Sequence, residues 1–310
     1  RWFHLYPDHR PAGDDPLHWT GRYQNWNTMC AECHSTNLRK AYDAKSDSYD
    51  TRWDLINVSC QSCHGPGSRH VAWAEQKRAA RAAPENLPHY GLDVDFRSGD
   101  SRYQVDACGT CHARRQRLSD GDAPGAPFLD NHRPELLRDG LYHADGQQLD
   151  EVYVYGSMLQ SRMYQRGVRC TDCHDAHSLK LKAEGNAVCT QCHNATGNPR
   201  FPTLKARTYD APEHHFHPTG SNGARCTSCH MPSRNYMVVH ARPDHSFRIP
   251  RPDQSEKLGT PNACNQCHAK QPASWAAAAI AKWYGPQRRQ EPGFAEAFAA
   301  ARAGRREAAT

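Results

Sequence analysis

Residues 170–193 read CTDCHDAHSLKLKAEGNAVCTQCH, a stretch in which the pattern C-x-x-C-H occurs twice. In c-type cytochromes, the two thiols of this pattern form thioethers with a porphyrin and the adjacent imidazole ligates its iron. The pattern therefore predicts covalent haem, and the binding of haem then decides how the chain folds. It occurs seven times and uses all 14 cysteines, at Cys30/Cys33/His34, Cys60/Cys63/His64, Cys108/Cys111/His112, Cys170/Cys173/His174, Cys189/Cys192/His193, Cys226/Cys229/His230 and Cys264/Cys267/His268.

Paired cysteines have three other common uses besides haem attachment. A C-x-x-C pair also occurs in zinc sites, in redox dithiols and in disulfide frameworks. The chain has 20 histidines in 310 residues, so a histidine after all seven pairs has a chance probability on the order of 10⁻⁹ to 10⁻⁸. Zinc and disulfide bonds leave that histidine unexplained, and we predict seven haem c groups.

The composition indicates a chain that buries little apolar surface of its own. Hydrophobic residues make up 37% of the sequence, and the mean hydropathy is −0.90, which is low for a globular domain. Seven porphyrins would supply the missing apolar surface, so we expect the chain to wrap its cofactors and to remain unfolded without them.

The basic charge does not indicate a nucleic-acid partner. The formal charge is +6 and the pI is 8.6, but seven haems add two negative propionates each and one positive charge per ferric porphyrin core. The net charge of the oxidised holoprotein is then about −1. No stretch has the length and hydropathy of a transmembrane helix, and no signal peptide precedes Arg1. Because thioether attachment takes place on the exported side of the membrane, we expect a periplasmic or extracellular protein whose targeting segment lies outside this numbering.

The spacing of the motifs predicts an irregular, loop-rich fold. The steps between motifs are uneven, which excludes a solenoid repeat, and 21 glycines and 21 prolines are spread along the chain. We expect a mostly α fold with extensive loops, wrapped around a haem stack, with little or no β-sheet. Residues 1–271 should form a heptahaem domain.

Two segments without a motif are predicted to be helical. The stretch from Val71 to Ala83 has good helix propensity and ends before Pro84. Residues 272–310 are rich in alanine and predict a C-terminal helical hairpin. We expect this hairpin to cover the last haem, in preference to binding a partner, through the apolar side chains of Trp275, Ile280 and Trp283.

Thirteen histidines remain as possible distal ligands, since seven of the 20 belong to motifs. The chain has only five methionines, and Met231 adjoins His230, where it is expected to pack against the ring and not to reach the far face of the haem. We therefore expect histidine as the second ligand of most irons, which gives bis-His haems of low potential. His177 follows His174 by three positions, a span of at most ~10 Å, which is too short to pass around a porphyrin. His177 should therefore ligate a neighbouring haem, and the same argument applies more weakly to His70. Three further histidines fit a solvent-exposed role as well as a ligand role: His9, His89 and His132.

Five segments resemble a known family, at residues 18–40, 63–73, 150–178, 214–232 and 244–268, and the last, DHSFRIPRPDQSEKLGTPNACNQCH, is the most specific. They are similar to multihaem cytochromes often fused to tetratricopeptide repeats and distantly similar to the cytochromes of hydroxylamine oxidation. Such proteins usually carry another haem motif before this region and helical repeats after it, so this sequence is expected to be a processed core or part of a longer chain. By motif position the resemblance implies these distal ligands, with His4 added as a seventh: His18, His70, His143, His177, one of His214, His215 and His217 (we chose His217), and His245.

The expected function is electron transfer through seven haems from a redox donor to an acceptor. The partners are expected to be redox proteins or an extracellular acceptor. Haems exposed at both ends would also allow self-association, including a head-to-tail extracellular filament. The alternative is an oxidoreductase of small nitrogen or sulfur compounds, which needs an open haem site. We expect no enzymatic activity, because every motif carries histidine and none carries the lysine of pentahaem nitrite reductases.

Overall fold

The computed structural model describes residues 3–4, 7–79, 87–97, 99–286, 288 and 293–306. The chain divides into two compact units, Arg1–Pro134 and Glu135–Thr310. Unit 1 carries the first three C-x-x-C-H motifs and unit 2 carries the other four.

Short helices carry the motifs. The helices of unit 1 are α1 (Ala31–His34), α2 (Cys60–His64), α3 (Ser68–Arg78), α4 (Ser101–His112) and α5 (Phe128–Asn131), with a π-helical turn at Trp26–Cys30 and a 3-10 turn at Pro88–Gly91. The helices of unit 2 are α6 (Tyr155–Leu159), α7 (Arg162–Gln165), α8 (Cys170–Cys173), α9 (Ala187–Thr190), α10 (Pro212–His215), α11 (Cys226–His230), α12 (Pro252–Leu258), α13 (Ala263–Cys267), α14 (Ala273–Tyr284) and α15 (Phe294–Arg302), with a 3-10 turn at Asn222–Ala224.

Polar side chains cap several of the motif helices. Ser59 precedes α2, Asp100 precedes α4 and Asn262 precedes α13, and each side chain accepts a hydrogen bond from a backbone N–H of the first turn. Such caps satisfy donors that a helix start leaves unpaired, typically contributing about 1 kcal/mol each. The caps therefore fix where these helices begin.

Within the described residues, ten short strands form five two-stranded antiparallel sheets, so the prediction of little or no sheet is only partly confirmed. The strands are β1 (Ser35–Thr36), β2 (Tyr42–Asp43), β3 (Ser48–Tyr49), β4 (Leu55–Ile56), β5 (Arg115–Arg117), β6 (His132–Pro134), β7 (His174–Asp175), β8 (Lys180–Leu181), β9 (Ser233–Tyr236) and β10 (His240–Pro243). The pairs are β1–β4, β2–β3, β5–β6, β7–β8 and β9–β10. Four of these sheets begin at or soon after a motif histidine. They reverse the direction of the chain after a motif and are too small to form an extended core.

The protein core is thin, as the composition suggests. Among the described residues, 16 apolar side chains are buried, while 27 large apolar side chains are exposed. One buried cluster in unit 2 contains Leu141, Tyr142 and Val152, with Leu137 packed against it. The exposed apolar side chains offer surface that porphyrins can cover.

The two predicted alanine-rich helices are present as α14 and α15, and both lie in unit 2. Helix α14 packs against α12. The boundary at residue 271 and the hairpin arrangement stay predictions. Residues 307–310 of the predicted hairpin lie outside the described residues, as do residues 80–86, where the predicted helix from Val71 to Ala83 ends.

Across the described ranges, no helix is both long and apolar enough to cross a membrane.

Candidate haem sites

The cysteines of different motifs in unit 1 lie next to one another. None of the 14 cysteines forms a disulfide bond. The Cys33 sulfur lies 3.7 Å from the Cys111 carbonyl oxygen, and Cys63 lies near both Cys108 and Cys111. The third motif of the sequence therefore lies beside the first and beside the second.

The four motifs of unit 2 are adjacent in sequence order. Cys173 lies near Cys192, and the thiols of Cys189 and Cys226 are within hydrogen-bonding reach. Cys229, in turn, lies near the cysteines of the last motif. Because each cysteine fixes one edge of a porphyrin, porphyrins attached to these motifs would be close neighbours.

Three motif histidines of unit 2 each lie beside a second histidine, and the distance between ring centres is nearly the same in all three pairs. The ring centres are 6.3 Å apart for His174 and His245. They are 6.2 Å apart for His230 and His214, and 6.4 Å apart for His268 and His217. An iron between two imidazoles, with each bond about 2 Å long, holds the ring centres about 6 Å apart. These three pairs thus have the spacing of axial ligand pairs.

Hydrogen bonds at Nδ1 orient several of these rings. The Nδ1–H of His230 donates to the Arg248 carbonyl at 2.7 Å, and that of His245 donates to the Pro243 carbonyl at 2.9 Å. His217 makes the same kind of bond, 2.5 Å long, to the carbonyl of His215. A proton held at Nδ1 leaves Nε2 free to bind a metal, and such a bond fixes the orientation of a ligand ring.

Partial burial favours the neutral form of three of the six paired rings. It lowers the pKa of His214 to about 4, and the charge of His230 acts in the same direction. Burial also lowers the pKa of His230 and of His174. Since iron binds the unprotonated imidazole, these environments favour the ligand form at neutral pH.

The donor set fits haem c. Each motif supplies two thiols and one imidazole, and the exposed apolar side chains include several next to motifs. The ring of Trp275 lies 4.9 Å from that of His268, and Trp283 stacks on Phe216 with ring centres 4.7 Å apart. Bound there, haem would supply one-electron redox chemistry at its iron.

The predicted distal ligands of unit 1 make other contacts with their Nδ1 atoms. His18 bonds to the Thr20 hydroxyl at 2.8 Å, and His70 donates to the Tyr90 carbonyl at 2.9 Å while its ring stacks on Trp73. His70 therefore has the Nδ1 contact typical of a ligand. His4 is exposed.

Two predicted ligands of unit 2 are placed differently from His217 and His245. The Nε2 of His143 lies 3.3 Å from an Arg234 guanidinium nitrogen, which can only donate. His143 could therefore ligate iron only through Nδ1 in this arrangement. His177 is exposed, and its backbone N–H donates to Asp175 at 2.9 Å.

The three histidines left open by the sequence differ in burial. His9 is exposed and its ring bonds to Asp15 at 3.1 Å. His89 is also exposed, with its ring 3.4 Å from Asp95. His132, by contrast, is buried and stacks on Phe128 with ring centres 4.9 Å apart. A solvent-exposed role is therefore excluded by the structure for His132.

The structure also pairs His214 with a motif histidine. The sequence predicted only one distal ligand, His217, from the cluster of His214, His215 and His217. His214 lies in α10 and His217 lies just beyond it, so one short segment places two rings opposite two different motif histidines. The repeated histidines of HHFH were the available signal. Their separate targets depend on how α11 and α13 are placed, which the sequence pattern does not specify.

Two family models match parts of the chain. The doubled CXXCH motif matches residues 164–198, and the family of cytochrome c554 and c-prime matches residues 17–65. Among the curated proteins, no relative matches.

Two solved structures are similar to the chain. The outer cell wall cytochrome OcwA is 18% identical, with a TM-score of 0.57, and the match covers 83% of this chain and 63% of that one. The undecaheme cytochrome from the S-layer of Carboxydothermus ferrireducens is 17% identical, with a TM-score of 0.37, and the match covers 90% of this chain and 52% of that one. The chain thus spans less than two thirds of the length of either protein.

The fusion to tetratricopeptide repeats and the link to hydroxylamine oxidation stay predictions. The prediction of haem attachment through C-x-x-C-H is confirmed by the family matches, and the fold is shared with OcwA. The chain is thus similar to multihaem c-type cytochromes in two segments and shares the fold of one such protein.

Proposed function

We propose that the protein transfers electrons along seven covalently bound haems, most of them with two histidine ligands. The observation that carries this proposal is the set of three histidine pairs in unit 2, with ring centres 6.2, 6.3 and 6.4 Å apart. Two axial imidazoles fill both coordination positions of an iron, which suits electron transfer and leaves no position for a substrate.

The ligand assignment follows from these pairs. The motif histidines His174, His230 and His268 are the proximal ligands, and their distal partners are His245, His214 and His217, respectively. For the other four haems, the proximal ligands are His34, His64, His112 and His193. Their distal ligands are proposed to come from His4, His18, His70, His143 and His177.

The positions of the cysteines support electron passage between neighbouring haems within each unit. In unit 2, contacts join the motifs in the order of the sequence. In unit 1, the third motif lies between the first two. Electron transfer is fast when redox groups lie close together, and covalent attachment at adjacent cysteines holds them there.

We further propose an exported location, periplasmic or extracellular, with redox proteins or an extracellular acceptor as partners. The shared fold with an outer cell wall cytochrome supports this location. Self-association into a head-to-tail filament is the assembly we propose, because exposed haems at both ends of a subunit would then continue the electron path. Electron microscopy of the purified native protein tests it, and uniform monomers at high concentration would leave a soluble carrier.

Electron paramagnetic resonance of the oxidised holoprotein tests the electron-transfer proposal. We expect low-spin ferric signals from most of the seven haems and no reaction with nitrite or hydroxylamine. A substantial high-spin signal at neutral pH, together with turnover of either compound, would favour the alternative of an oxidoreductase with an open haem site.

A further inference from the structure

A buried group of charges lies between the first and third motifs of unit 1. Glu32 and Arg115 form an ion pair in which the side chains are only 6% and 7% exposed. Lys40 binds the other oxygen of the same carboxylate, and its side chain is 24% exposed. We call these three residues the Arg115 cluster.

The cluster contacts the haem-attachment atoms directly. Arg115 donates to the Cys33 sulfur across 3.8 Å and to the Thr110 carbonyl across 2.7 Å. Thr110 directly precedes Cys111, and Glu32 lies between the two cysteines of the first motif. A thioether sulfur still accepts a hydrogen bond, so haem attachment at Cys33 leaves the acceptor that Arg115 contacts.

The cluster carries one net positive charge. Glu32 binds Lys40 through one carboxylate oxygen and Arg115 through the other, which is the geometry of an ionised carboxylate. The carboxylate therefore balances one of the two cations. The neighbouring pair of Arg117 and Asp122, 3.3 Å apart, is neutral as a whole.

We propose that Arg115 raises the reduction potentials of the haems attached at Cys33 and Cys111. Reduction brings one electron from the donor to a ferric iron, which becomes ferrous, with no bond made or broken. A fixed cation in a poorly solvated place stabilises that added negative charge. Arg115 would therefore shift electrons within unit 1 toward these two haems. This inference rests on the proposed function, since it requires haem at both motifs.

Potentiometry followed by electron paramagnetic resonance tests the proposal by the sign of the change. Arg115→Gln should lower the midpoint potential of one or two components by about 59 mV, which is a tenfold change in a one-electron equilibrium. Lys40→Gln should lower the same components by less, because Lys40 is more exposed. Glu32→Gln should raise them. Arg115→Lys keeps the charge and should restore most of the parent value.

The control is Arg52→Gln, since Arg52 is 75% exposed in the same unit and pairs with Asp50; it should change no potential. Mass spectrometry first counts the haems in every variant. Loss of haem from motif one or three in the parent protein would contradict the proposed function itself. With seven haems present, unchanged potentials in Arg115→Gln, or shifts of the same sign in Arg115→Gln and Glu32→Gln, would overturn the inference. If Arg115→Gln fails to fold, Lys40→Gln and Glu32→Gln still decide it by their opposite signs.

Discussion

The imidazole rings of His214 and His230 lie with their planes 8° apart and their centres 6.2 Å apart. His230 belongs to a motif in α11, whereas His214 lies in α10 and belongs to no motif. Ring packing alone can give centres roughly 4.5 to 7 Å apart. Two observations fit ligation of iron better. The distance between ring centres is nearly the same in all three pairs, and at three of the six rings an Nδ1 hydrogen bond leaves Nε2 free.

Replacement of His214 by alanine should convert one haem from low spin to high spin. The iron attached at His230 loses its second imidazole, while the thioethers at Cys226 and Cys229 remain. The measurement is electron paramagnetic resonance, with mass spectrometry to confirm seven haems. His240→Ala, at an exposed histidine of the same unit, is the control and should leave the spectrum unchanged. An unchanged spectrum in His214→Ala would contradict the ligand pair.

Replacement of His177 should also create one high-spin haem if this residue ligates a neighbour of its own motif. Its position three residues after His174 is the reason for this expectation. The thioethers at Cys170 and Cys173 should survive the change. A spin state that stays wholly low in His177→Ala would instead identify a solvent-exposed side chain, in agreement with its exposure.

The intact chain should carry seven haems and no reactive thiol. All 14 cysteines belong to attachment motifs, and each would be a thioether in the mature protein. Mass spectrometry should therefore show the mass of the chain plus seven haems, and a thiol reagent should not label the denatured protein. Five haems or fewer, or labelled cysteine, would contradict the assignment.

The stability of the holoprotein should fall between pH 7 and pH 5 through His132. Burial lowers the pKa of His132 to about 4, and the charge of Arg115 acts in the same direction. The unfolded chain, with an ordinary histidine pKa near 6.5, then binds the extra proton as pH falls. The free energy of unfolding should drop by about 2 kcal/mol over this range.

Urea unfolding at both pH values measures this drop, and His132→Phe should reduce it because the titrating group is removed. His240→Ala is the control, since His240 is exposed. An equal pH dependence in the parent and in His132→Phe would show that other groups cause the loss.

Trp275 should protect the haem of the last motif from water. Its ring lies 4.9 Å from that of His268, and 38% of the residue is exposed. Trp275→Ala should lower one midpoint potential, because water stabilises the oxidised haem. Tyr49, which is 47% exposed in unit 1, supplies the control Tyr49→Ala. An unchanged potential would favour the other role of this segment, the binding of a partner.

The motif chemistry could be predicted from the sequence because its ligands are adjacent along the chain. Two cysteines and a histidine within five residues specify attachment whatever the surrounding fold is. The helical segment beginning near Val71 and the helices at Ala273–Tyr284 and Phe294–Arg302 were also predictable, since propensity and terminal signals are local.

The distal pairing could be predicted only in part, because it joins residues far apart in the sequence. His245 and His217 were expected as ligands, but which motif histidine each one faces depends on how the loops bring distant parts of the chain together. The same holds for the Arg115 cluster, which joins Glu32 and Lys40 to a residue beyond the third motif. The small sheets were missed because two-residue strands have too few side chains to show an alternating pattern.

The position of Cys111 beside Cys33, with Cys63 also close to it, bears on how the protein matures. If the chain is exported N-terminus first, the first two motifs cross the membrane before the third. The contacts of Cys111 with Cys33 and Cys63 can then form only once residues 108–112 have crossed. Attachment at the third motif would therefore be the step that completes the contacts among the motifs of unit 1.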